Sequence, residues 1–134
     1  MNSITKRLTL ALCTGLLSAT LAVPAFADVK DFEFQLVQSE VKQGDGAIVA
    51  VTLVNKRTRQ PVPDAVIFAK RIDMAPDGMA AMASPITEVP SDKPGEYRFK
   101  TNLSMQGRWQ LSLGAKVQGE TGSVQSKLVI KAVP

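Results

Sequence analysis

Over its last forty residues the chain alternates apolar and polar side chains almost one for one. In Gly95-Glu96-Tyr97-Arg98-Phe99-Lys100-Thr101, Tyr97 and Phe99 are interleaved with Glu96, Arg98 and Lys100, which predicts a strand with one dry face. The same period places Trp109, Leu111, Leu113, Ala115 and Val117 opposite Arg108, Gln110, Ser112 and Lys116, and then Val124, Leu128 and Ile130 opposite Gln125, Lys127 and Lys131. Upstream, Phe32, Phe34 and Leu36 alternate with Glu33 and Gln35. The stretches from Ala47 to Val54 and from Ala65 to Ile72 are nearly unbroken apolar runs, as central strands are. Ile86 to Val89 predicts one more short strand.

Turn chemistry separates these runs: Gln43-Gly44-Asp45-Gly46, Gln60-Pro61-Val62-Pro63-Asp64, Ser91-Asp92-Lys93-Pro94-Gly95 and Gly119-Glu120-Thr121-Gly122. Outside the N-terminal segment no stretch has a helical period. About seven short strands in a chain of this length predict an antiparallel immunoglobulin-like β-sandwich, with a small Greek-key barrel as the alternative.

The N-terminal segment follows a different rule. Lys6 and Arg7 precede an apolar run from Leu8 to Val23, which ends in Ala25-Phe26-Ala27 with small residues where a signal peptidase reads. Residues 1–27 therefore read as a cleavable secretory signal peptide, and residues 28–134 as the mature domain of an exported, periplasmic protein without a stable membrane anchor. The single cysteine, Cys13, leaves with the leader. It does not suit a lipoprotein site, because Leu12 stands where a small residue is required.

Removing Lys6 and Arg7 lowers the formal charge from +4 to +2. The remaining cations are scattered, Lys56-Arg57-Thr58-Arg59 being the one cluster, so nothing resembles the continuous basic and aromatic footprint that nucleic acid needs. The chain contains no histidine. That removes the usual imidazole base, Ser-His and Cys-His catalysis, and His-ligated zinc or copper centres. The carboxylates are dispersed, no pair has a spacing that forces two into one cleft, and Ser104 and Ser112 lack a base. No catalytic residue is assigned, and a non-catalytic role is expected. Trp109 reads as a core anchor with Arg108 as its exposed neighbour, and Lys70 as a strand lysine reaching solvent.

One segment departs from the regular pattern. Asp73-Met74-Ala75-Pro76-Asp77-Gly78-Met79-Ala80-Ala81-Met82-Ala83-Ser84 holds three methionines, and Met105 lies in the turn before Trp109. If each connection reverses direction, both loops leave the sandwich at the same end. Neutral thioethers are soft ligands that suit Cu(I) and serve zinc, magnesium or calcium poorly. Asp73 and Asp77 offer oxygen ligands or a negative field, or else pair with Lys70 and Arg71. The same methionines also fit two other roles, an apolar plug over the mouth of the sandwich and a surface for a protein partner.

The strand ending Asp73-Met74, the loop Met74-Ala75-Pro76-Asp77-Gly78-Met79, the Pro94-Gly95-Glu96-Tyr97-Arg98-Phe99 segment and the Ser104-Met105-Gln106-Gly107-Arg108-Trp109 turn together resemble the FixH/YtkA-like family over about residues 30–132. The resemblance implies an immunoglobulin-like fold, an extracytoplasmic location and an association with copper transport or heavy-metal efflux. It maps the family's methionine loop and turn onto Met74, Met79, Met82 and Met105. FixH proteins keep a membrane anchor, so the cleavable leader brings this chain closer to the soluble branch. The expectation is a periplasmic binding module in copper homeostasis that holds Cu(I) through these four methionines. The alternative is a metal-free module that docks through the same loops on an efflux or oxidase-assembly partner.

Overall fold

The computed structural model describes residues 29–134 and, upstream, Gly15 alone. The leader expected over residues 1–27 lies outside the described residues, as does its junction with Asp28. Among the described residues ten strands follow one another: β1 Phe32–Leu36, β2 Glu40–Lys42, β3 Gly44–Asn55, β4 Gln60–Pro61 and β5 Val66–Met74, then β6 Met79–Ser84, β7 Ile86–Val89, β8 Glu96–Leu103, β9 Gly107–Lys116 and β10 Val124–Val133. One sheet has the order β1-β3-β8-β7, with the two-residue β4 added to β3, and the other runs β2-β10-β9-β5-β6. This is an all-β sandwich with the strand order of an immunoglobulin domain extended at its edges. All pairings are antiparallel except β2 with β10. The chain reaches that parallel edge by passing from β1 in one sheet to β2 in the other.

The period-two pattern sets the layers. Tyr97, Phe99, Thr101 and Leu103 of β8 face Trp109, Leu111, Leu113 and Ala115 of β9 across a core completed by Phe34, Val49, Val51, Leu53, Ile72, Met74 and Ile130. Each large side chain removed from water here contributes roughly 1.5–3 kcal/mol. Three hydrogen bonds secure the polar tips of two core aromatics. The Tyr97 hydroxyl donates to the Val62 carbonyl at 2.8 Å and accepts the Ala65 N–H at 2.9 Å, tying β8 to the β4–β5 connection, and its ring meets Phe34 edge-on. Trp109 Nε1 donates to the Met105 carbonyl at 3.1 Å.

Besides the parallel edge and Gly44–Gly46, which open β3 where a turn was expected, two features differ from the sequence expectation. The β5 strand does not behave as a wholly buried one, since Val66 and Phe68 are more than half exposed on the outer face. The methionine segment is ordered as strand, turn and strand: Met74 ends β5, Ala75–Asp77 forms a 3-10 turn, and Met79 begins β6 and pairs back with Met74. Gly78 makes this reversal possible. Its φ of 75° is the left-handed conformation that a residue with a Cβ adopts at a cost.

Candidate functional site

The end of the sandwich where β5 turns into β6 and β8 turns into β9 is built around two carboxylates. Asp73 is the next-to-last residue of β5, with one oxygen accepting the Ala75 N–H at 2.9 Å and the other accepting Arg71 Nε at 2.8 Å. This local ring starts the 3-10 turn, and Pro76 within it has a φ already suited to that conformation. Arg71 also donates from Nη2 to the Ala80 carbonyl at 3.0 Å. It thereby supports the three residues by which β6 bows away from β5 between Ala83, opposite Asp73, and Met79, opposite Met74.

Asp77, at the end of the turn, reaches the other loop. Its Oδ2 accepts the Arg108 backbone N–H at 2.7 Å, its Oδ1 accepts Arg108 Nε at 2.8 Å, and Arg108 Nη2 donates to the Pro76 carbonyl at 2.8 Å. One arginine therefore joins two connections that are thirty-one residues apart in the chain. Gly107 allows them to approach this closely. A Cβ at that position would stand 2.6 Å from Asp77 Oδ2 and 2.7 Å from the terminal methyl of Met74, and its φ of 137° also favours glycine.

The electrostatics follow from these partners. Burial pushes the Asp73 carboxyl up, but the Ala75 N–H and the Arg71 guanidinium, with Lys127 farther off, outweigh it and hold the group below the ordinary carboxylate range. For Asp77 the Arg108 backbone N–H is the main cause of a lowered pKa, reinforced by the Arg108 side chain. Both groups are anions fully engaged with protein donors. The sequence-level reading of them as oxygen ligands gives way to the other possibility weighed for them, ion pairing, although Asp77 takes Arg108 rather than a neighbour in sequence.

The four methionines divide into two kinds. Met74 is fully buried, whereas Met79, Met82 and Met105 are 36%, 42% and 39% exposed. Met74 is a core side chain with its methyl under Gly107. Met79 opposes it across the β5–β6 pair, and Met105 lies two residues before Gly107, so both flank one feature. Met82 sits on the bowed part of β6. The two connections do meet through Asp77 and Arg108, and the side chains of Met79, Met82 and Met105 are partly open to solvent. Lys70 is exposed and Trp109 fully buried, as the pattern indicated. Among the described residues no group of three His, Cys, Asp or Glu side chains converges as a metal site. Arg108 is the residue that sequence reasoning missed. It stands in an alternating strand as an ordinary exposed cation, and only the fold reveals its partner.

Among curated proteins none matches the chain. Among solved structures it is similar to the ZirS C-terminal domain, with 12% identity, a TM-score of 0.44, and coverage of 100% of this chain and 88% of that one. The family model described as YtkA-like matches residues 26–114, which takes in β1 through most of β9 together with both loops of the Asp77–Arg108 junction, and the chain belongs to the YtkA-like family.

Proposed function

We propose that the protein is a non-catalytic, extracytoplasmic binding module that holds Cu(I) at the β5–β6 and β8–β9 end of the sandwich. Met79, Met82 and Met105 supply the thioethers, and Met74 packs beneath them. The observation that carries this reading is the combination of three partly exposed sulfur side chains with a backbone junction fixed by Arg108. A soft cation needs neutral, polarisable donors that are held in place yet open to exchange. Thioethers carry no proton to lose, so such a site works across a broad pH range. Copper homeostasis, with a copper-transport or efflux protein as donor or acceptor, is the role this chemistry fits.

Anaerobic titration of the purified chain with Cu(I) against a competing chelator tests the proposal. Uptake of one equivalent at micromolar affinity or tighter is expected, with loss when Met79, Met82 and Met105 are changed together to Leu, and retention in Met74→Leu. Absence of uptake, or uptake unchanged in the triple variant, refutes it.

A metal-free docking role is the second reading, favoured by the uncharged composition of β6, which is an edge strand among the described residues. An efflux or oxidase-assembly protein would be the partner in that case. The association would then survive copper chelation and fail in Met82→Ser.

A further inference from the structure

The two outer faces of the sandwich carry different charge. On the β1-β3-β8-β7 sheet, Glu33 and Glu96 balance Arg98 and Lys100. On the other sheet the register places Lys116, Lys127 and Lys131 of β9 and β10 on one outward plane, with Lys42 beside them on β2. All four are exposed, and none forms an ion pair among the described residues. The arginines of the same plane, Arg71 and Arg108, are occupied by Asp73 and Asp77. The acids that face the lysines are few: Glu40 stands across from Lys131, and Asp73 lies within electrostatic reach of Lys127. Apolar side chains open to solvent sit within this basic field. Val66 opposes Lys116, Val129 lies between Lys127 and Lys131 on β10, and Phe68 rests its ring against Gly114, where a Cβ would fall 3.0 Å from it.

We infer that this face binds the surface of an anionic phospholipid bilayer. A plane of roughly 30 Å by 20 Å, from the length and spacing of its strands, presents point charges on flexible stems with apolar groups lying low between them. Lysine ammonium groups lack the fixed fork with which arginine selects one carboxylate or phosphate, and they suit a fluid layer of phosphate headgroups that makes no demand for relief in the protein surface. Phe68, Val66 and Val129 enter the headgroup boundary while the lysines meet the phosphates, which is how amphipathic surfaces adsorb without spanning. The inference does not rest on copper binding, because the face is defined by side chains of β2, β5, β9 and β10 and includes none of the methionines.

Co-sedimentation of the purified chain, its N-terminus fixed by mass spectrometry, with phosphatidylcholine vesicles with and without phosphatidylglycerol tests it. The expected result is binding to the anionic vesicles alone, weakening as salt shortens the screening length. Each lysine near the surface adds about fivefold to the partition coefficient, so Lys116→Gln/Lys127→Gln/Lys131→Gln lowers it about a hundredfold, and Lys127→Gln alone about fivefold. Arg98→Gln/Lys100→Gln on the opposite face leaves it unchanged. Equal binding to neutral vesicles, insensitivity to salt, or an equal loss in the opposite-face variant overturns the inference. Retention on immobilised polyglutamate without vesicle binding also overturns it, in favour of an acidic protein partner.

Discussion

The substitution Gly107→Ala isolates the contact on which the methionine end depends. Two costs are superposed at this position. The backbone φ of 137° is one that a residue with a Cβ adopts at about 1–3 kcal/mol. In addition, the new Cβ would stand 2.6 Å from Asp77 Oδ2 and 2.7 Å from the Met74 methyl. Neither neighbour yields easily, since Asp77 is pinned by the Arg108 N–H at 2.7 Å and Met74 is enclosed in the core. Forcing them apart adds about 1–3 kcal/mol, as overpacking of a filled site does. Gly44 provides the control. Its φ is 141°, and a Cβ built there meets nothing within 4 Å, so Gly44→Ala carries the backbone cost alone. Urea denaturation followed by Trp109 fluorescence should place the midpoint of Gly107→Ala about 1 M below that of Gly44→Ala. If the two variants agree within about 0.5 kcal/mol, the steric argument fails and the junction is looser than its geometry implies.

Other consequences are open to measurement. Met74→Ala removes a fully buried side chain and should cost about 2–5 kcal/mol, whereas Met82→Ala on the exposed bow of β6 should stay within about 0.5 kcal/mol, both by chemical denaturation. Tyr97→Phe deprives the Val62 carbonyl and the Ala65 N–H of their shared partner and should cost about 1–3 kcal/mol, read as a lower melting temperature in calorimetry. Because the Asp73 pKa in the folded chain lies below its unfolded value, the ionised group contributes stability that is fully present above about pH 4 and is lost as the pH falls through the folded pKa. Denaturation midpoints measured from neutral to strongly acidic pH should show that loss in the wild-type chain and a smaller one in Asp73→Asn.

How far the sequence reveals this molecule depends on how local the determining interaction is. Tyr97 and Phe99, or Trp109, Leu111 and Leu113, announce their strands because one face is dry and the other wet, and a period of two records that directly. The edges leave no such record. Strands β2 and β4 span three and two residues, and β6 is exposed on both sides, so Met-Ala-Ala-Met-Ala-Ser shows no alternation. The parallel pairing of β2 with β10 joins distant parts of the chain and is equally silent. Arg108 illustrates the same point at the site, since its polar slot in β9 is legible while its attachment to Asp77 and Pro76 is a property of the fold.

Met74 shows why spacing alone does not separate structural from functional methionines. A thioether that packs and a thioether that binds a soft cation are the same group, and the difference lies in which side of the β5–β6 pair faces the core. Met74 stands at the last inward position of β5, where the two sheets still enclose it, while Met79 and Met82 lie on the edge strand β6 and Met105 on the β8–β9 connection, all three partly exposed. Stability and binding should therefore come apart under mutation. Met74→Leu conserves volume, should cost less than about 1.5 kcal/mol, and should keep Cu(I) uptake. Changing the other three to Leu should leave the fold intact and abolish uptake. If Met74→Leu abolished copper uptake while the denaturation midpoint stayed put, the buried sulfur would be a ligand, and the junction would have to open for the metal to enter.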